Sequence, residues 1–111
     1  MNKEKILQKS DDFSSIISTG TKLKNKYFSL YYKESDNVHY GITVPKKIGH
    51  AVIRNKLKRQ LKNIISTNEK TIQSCYNYVI IVKEASLTLD YLSLTTNLLE
   101  LMKKVGKNEK K

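Results

Sequence analysis

The sequence predicts a single small α+β domain in which amphipathic helices pack on a small sheet. Three observations predict it. Strand-like runs at 27–33 and 39–44 precede a helical stripe of Ile53, Leu57, Leu61 and Ile64, which recur at i, i+4, i+8 and i+11. A continuous apolar run at 78–82 (YVIIV) separates that stripe from a second one near the C-terminus. The chain has 111 residues, enough for one core, and neither a repeat nor a linker divides it. An amphipathic helix cannot hide its stripe alone, so helices and sheet must cover each other.

The elements follow in order. Ser10 or Asp11 suits a helix N-cap, with Asp12 in the first turn at the positive end of the dipole. Phe13, Ile16 and Ile17 then fall on one face, and Gly20 suits the stop. The run 27–33 (YFSLYYK) splits into Tyr27, Ser29, Tyr31 and Phe28, Leu30, Tyr32, of which the second set is expected in the core. The run 39–44 (HYGITV) follows a polar turn at 34–37, and the two are expected to form a hairpin ended by Pro45. The first stripe predicts a helix over about 50–66, with one more turn near 70–73. The 78–82 run reads as a central strand covered on both faces. Asp90 caps a last helix with Tyr91, Leu94, Leu98, Leu101 and Val105 on one side, Lys103 and Lys104 in its final turn, and Gly106 beyond it. From Lys107 to the end a frayed tail is expected, within a single domain of residues 1–111.

Charge narrows the function. Lysine and arginine total 21 against 10 acidic residues, a formal net charge of +11. A surface so positive seeks an anionic partner, nucleic acid first and a membrane second. No apolar run approaches the roughly 20 residues that span a bilayer. The charged N-terminus lacks a secretory apolar stretch, and Cys75 is the single cysteine, so a reducing cytoplasm is expected. Only Arg54 and Arg59 are arginines, and both lie in the predicted central helix, where a planar donor fork can grip phosphate bidentately.

The basic residues concentrate where acids are missing. Between Asp36 and Glu69 no acidic residue occurs, while Lys46, Lys47, Arg54, Lys56, Lys58, Arg59 and Lys62 do. At 100° per residue, Arg54, Asn55, Lys58, Arg59 and Lys62 are expected opposite the apolar stripe. A purely cationic face forgoes internal ion pairs and suffers like-charge repulsion, whereas a merely solvated face ordinarily mixes both signs. Phosphates are the partner that makes such a face favourable.

The run 46–59 (KKIGHAVIRNKLKR) resembles the signature of the ribonuclease P protein component: a lysine pair, a glycine, an Ala-Val pair, then Arg-Asn-Arg-x-x-Arg-type residues on a helix. Flanking matches extend the resemblance over nearly the whole chain: Asp12-Phe13, Gly20, 28–31, 41–44, 78–82 and 89–91. The architecture then expected is α-β-β-β-α-β-α, with a small mixed sheet whose first strand is very short. The resemblance also implies a left-handed βαβ crossover, against the usual right-handed rule.

What the resemblance implies about function is specific. Arg54, Asn55, Lys56, Lys58, Arg59 and Lys62 correspond to the helix that docks on the catalytic RNA subunit, with lysine at 56 and 62 where arginine is usual. Phe13, Ile17, Ser29 and Tyr31 correspond to a cleft that holds the single-stranded 5′ leader of precursor tRNA. Lys46 and Lys47 are expected to hold leader phosphates. Ile17 often has an aromatic counterpart in relatives. Aromatic faces stack on unpaired bases with little sequence preference. The implied cofactor is Mg²⁺, held mainly by the RNA subunit that performs the chemistry, and the partners are that RNA and precursor tRNA. No metal-ligand pattern marks the protein; Glu84 and Asp90 are the acids weighed for a nearby ion. The alternative is a ribosomal or other structural RNA-binding protein with no role in cleavage.

Other classes fit less well. A stand-alone nuclease needs clustered carboxylates or a paired histidine, and here the acids are scattered while His39 and His50 have no evident partners. A helix-turn-helix DNA reader needs a short helix before its recognition helix, and strand-like segments stand there instead, so no DNA partner is expected. Leu87, Leu94 and Leu101 repeat at seven, but with Asp90 as a cap Leu87 falls outside the helix and ordinary packing explains the rest.

Overall fold

The computed structural model describes residues 10–36, 38–72 and 75–105, with side chains from Ser14 onward. Ser10 and Asp11, of which one is expected as the N-cap, are the first two residues of α1, while the Phe13 ring and the tail from Lys107 lie outside what is described. The elements are α1 (Ser10–Thr19), β1 (Thr21–Lys24), β2 (Phe28–Glu34), β3 (His39–Thr43), α2 (Ala51–Thr67), β4 (Tyr76–Val82) and α3 (Tyr91–Lys103). Short 3₁₀ turns fill Lys46–Ile48, Glu69–Thr71 and Glu84–Thr88. The α-β-β-β-α-β-α order and the short first strand are as expected.

The four strands form one mixed sheet in the order β1-β2-β4-β3. Strand β2 is antiparallel to both β1 and β4, and β3 is parallel to β4, with α2 as the crossover. The hairpin expected between the runs 27–33 and 39–44 does not form, because β4 lies between them. The cause is legible in β4 itself. Tyr78, Val79, Ile80 and Val82 are all buried, with apolar side chains on both faces. Such a strand needs neighbours on either side and cover above and below, which an edge position cannot give.

Alternation along β2 sorts the two faces. Phe28, Leu30 and Tyr32 join Tyr40, Tyr78, Ile80 and Val82 in the main core. Leu57, Leu61, Ile64 and Ile65 of α2 and Leu94, Leu98, Leu101 and Met102 of α3 cover that face. Ile53, expected in the α2 stripe, is 40% exposed; the buried stripe is shifted toward Ile65. The opposite face is thinner: Ile16 of α1 packs on Val79, with Tyr31 and Ile81 alongside.

Two backbone devices fix this second face. The Gly20 N–H donates to the Ile16 carbonyl at 2.8 Å, ending α1. A Cβ at Gly20 would stand 2.5 Å from that oxygen and 2.6 Å from the Tyr32 carbonyl oxygen. Only glycine lets the chain turn there from helix to strand so close to β2. Asn25 then shapes the β1–β2 turn: its Oδ1 accepts from the Tyr27 and Phe28 N–H groups, both at 2.8 Å. The Lys83 ammonium donates to the Asn25 carbonyl at 2.7 Å, tying the turn to the end of β4.

Candidate nucleic-acid interface

Helix α2 runs from a His50 N-cap that makes no side-chain cap bond, and its first turn holds no acid. The buried ridge Leu57, Leu61, Ile64 and Ile65 orients the rest of the helix. Asn55, Lys58, Arg59 and Lys62 line one shallow groove of about 470 Å³, together with Val52, which is 78% exposed. Four of the six residues that the resemblance assigns to RNA-subunit docking are thus brought together.

The other two go elsewhere. Arg54 is half-buried, and its Nε donates to the Gly49 carbonyl at 3.1 Å. It does not stand opposite the apolar stripe as expected, and a rotation of 100° per residue in fact sets it beside Leu61. Positions 54, 57, 61 and 65 succeed each other at helical spacing, so Arg54 borders the buried ridge and its side chain reaches back over the helix start. Lys56 lies around the helix, in a separate hollow with Ile53, Gln60, Leu87, Asp90 and Tyr91.

The thin face of the sheet forms the second surface. Cross-strand register places Lys22, Tyr31, Val79 and Gly41 in one row and Lys24, Ser29, Ile81 and Thr43 in the next. Of the residues expected in a cleft here, Ser29 is nearly buried, Tyr31 is half-buried, and Ile17 of α1 is 40% exposed. Lys46 and Lys47 stand exposed on the turn just past β3, at the Ser29–Thr43 end of the sheet. The Lys22 ammonium sits 5.4 Å from the centroid of the Tyr31 ring, within cation–π range. Lys22 and Lys24 did not emerge from the sequence. Their only signal is the alternation in TKLK, which means nothing until β1 is registered against β2.

The remaining titratable groups are structural. Asp90 Oδ1 accepts from the Ser93 N–H at 2.8 Å, and that bond holds its carboxyl below the usual range. It is the expected cap of α3, and this leaves one of its oxygens committed. His39, without an evident partner in the sequence, has its Nδ1 2.9 Å from Asn77 Oδ1. Burial, then the Glu69 charge, pushes the Tyr40 phenol up to about 12, and burial raises that of Tyr78 further. Among the described residues no three His, Cys, Asp or Glu side chains converge as metal ligands, and Glu84 and Asp90 form no such site. No described helix is long and apolar enough to cross a membrane.

Fold and charge together define a small basic α+β protein that presents cations on two separate surfaces. Residues 1–106 match the family model described as Ribonuclease P. The "Ribonuclease P protein component" of Mycoplasma mycoides is 39% identical over 108 residues, covering 95% of this chain and 99% of that protein. That of Streptococcus agalactiae is 38% identical over 101 residues, covering 88% and 92%. Among solved structures, the RNase P protein from Thermotoga maritima superposes with a TM-score of 0.84 at 30% identity, over 89% of this chain and 96% of that one. A Staphylococcus aureus RNase P protein mutant with defective mRNA degradation activity gives 0.86 at 28%, over 91% and 87%. The chain belongs to the ribonuclease P protein family, and with it to ribonuclease P and tRNA processing.

Proposed function

We propose that this chain is the cytoplasmic protein subunit of ribonuclease P, working beside an RNA subunit that carries the chemistry and most of the Mg²⁺. In this reading the flank of α2 with Asn55, Lys58, Arg59 and Lys62 meets phosphates of the RNA subunit, with Arg54 and Lys56 at its margins. The thin sheet face, with Ser29, Tyr31, Ile17, Lys46 and Lys47, takes the single-stranded 5′ leader of precursor tRNA, and Phe13 belongs to the same cleft.

The observation that carries the reading is that face. A ten-residue helix covers it only in part, and Tyr31 stays accessible beside exposed lysines. A half-covered ring flanked by cations is what a base and its phosphate require. Reconstitution tests it. The protein alone should leave precursor tRNA intact and, with the cognate RNA subunit, should raise cleavage at low Mg²⁺. Tyr31→Ala should weaken precursor binding by ~1–3 kcal/mol and spare mature tRNA. Cleavage without RNA, or no effect of adding the protein, would end the proposal.

A further inference from the structure

Strand β1 is four residues long, at the edge of the sheet, and two of its residues are lysines on the thin face. Both Lys22 and Lys24 are exposed, and neither has an acidic partner among the described residues. Register sets Lys22 beside Tyr31 and Lys24 beside Ser29. Lys46 and Lys47 stand past the other edge, on the turn that follows β3. Three strand spacings separate the two edges, about 14 Å. Between them lie Ser29, Tyr31, Val79, Ile81, Gly41 and Thr43, with no charge. Among the described side chains Tyr31 is the only phenylalanine or tyrosine on this face, and its neighbour across the cleft, Ile17, is aliphatic. Among the described side chains the face therefore offers one ring, Tyr31, and a cationic pair at each margin.

We infer that Lys22 and Lys24 extend the leader site to the β1 edge, so that a single strand crosses the sheet with phosphates held at both margins. The spacing supports this. Alternate residues of a strand project to the same side about 6.7 Å apart. Two ammonium groups so placed make a cationic edge on which phosphates of the crossing strand can rest, and the cation–π contact holds Lys22 beside the Tyr31 ring. Charges at the two margins grip the backbone and not the bases, so the site tolerates any leader sequence.

The inference rests on the leader reading above, and its test separates the two. The reconstituted holoenzyme carrying Lys22→Ala and Lys24→Ala is titrated with precursor tRNA and with mature tRNA over a range of salt. The log–log salt slope for the precursor should fall in magnitude by about 1.4, two contacts at roughly 0.7 each on a single strand. The slope for mature tRNA and the affinity for the RNA subunit should not move. The Lys22→Arg, Lys24→Arg protein should keep the parent slope, since charge is what counts. An unchanged precursor slope, or an equal loss for both tRNAs, overturns the inference. Tyr31→Ala is run in parallel. If it discriminates between the tRNAs and the lysine pair does not, the leader site stands without its β1 extension. If neither discriminates, both readings fall.

Discussion

Replacing Arg59 by alanine and, separately, Arg54 by alanine should have different consequences, although both are arginines of one helix. Arg59 is exposed in the α2 groove and has no hydrogen-bond partner among the described residues. Its loss should shift the melting temperature of the free protein by no more than about 2–4 °C, since exposed substitutions of this kind stay near ±0.5 kcal/mol. It should flatten the salt dependence of RNA-subunit binding by roughly 0.9 for a duplex phosphate or 0.7 for a single strand. Arg54 donates its Nε to the Gly49 carbonyl from a half-buried position. A charged hydrogen bond is worth about 1.5–3 kcal/mol when shielded, and partial exposure brings this toward 1. For a domain of this size that lowers the melting temperature by roughly 4–8 °C. Arg54→Lys should not restore it, because an ammonium cannot reproduce the Nε geometry. Thermal denaturation of the free protein and RNA titrations in several salt concentrations measure both effects. Equal melting temperatures for the two alanine variants would refute the structural role of Arg54. An unmoved salt slope for Arg59→Ala would refute the docking role of the groove.

Two further outcomes follow from the tyrosine-rich end of the core. The Tyr32 hydroxyl is buried with no hydrogen-bond partner among the described residues, so Tyr32→Phe should hold or raise stability, by up to ~1–3 kcal/mol of relieved desolvation; a loss above 1 kcal/mol in a denaturant titration would show that the hydroxyl is satisfied. Burial holds the Tyr40 phenol neutral up to about pH 12, whereas an unfolded tyrosine ionises near pH 10. The unfolded chain therefore releases that proton first, and stability that is complete below about pH 10 should decline by roughly 2–3 kcal/mol as pH approaches 12. Tyr40→Phe should shallow the decline, and melting curves from pH 8 to 12 that coincide for both proteins would count against it.

How much of this could be read from the residues depends on the range of the physics involved. The stripe of α2 and the Asp90 cap of α3 are local patterns, set within a few turns, and both are present as expected. The failed hairpin is a long-range matter. Segments 27–33 and 39–44 pair well in principle, and nothing in their own residues says that β4 will take the place between them. The clue lay forty residues on, in a run apolar on both faces. Arg54 is legible: at 100° per residue it falls within about 20° of Leu61, so the wheel of the four apolar residues already sets it beside the stripe and not opposite it. Lys22 and Lys24 are not legible, because TKLK has one apolar residue and no strand signal; β1 exists because β2 offers it an edge.

The two candidate surfaces share no residue. One is the flank of a helix packed on the core face, and the other is the opposite face of the same sheet. This separation has an energetic consequence in the proposed reading. One stacked base is worth ~1–3 kcal/mol, only about 5–150-fold in affinity, too little to hold a leader by itself. Once α2 is docked on the RNA subunit and that RNA has captured the body of a tRNA, the leader contact becomes intramolecular, and its modest energy adds to a complex already formed. A weak, sequence-tolerant leader face then suffices, because the α2 flank keeps it in place. Mutations of the two surfaces should accordingly combine non-additively in precursor binding. Loss of the α2 groove should erase the effect of Tyr31→Ala at protein concentrations where the variant no longer docks, while Tyr31→Ala should leave docking untouched.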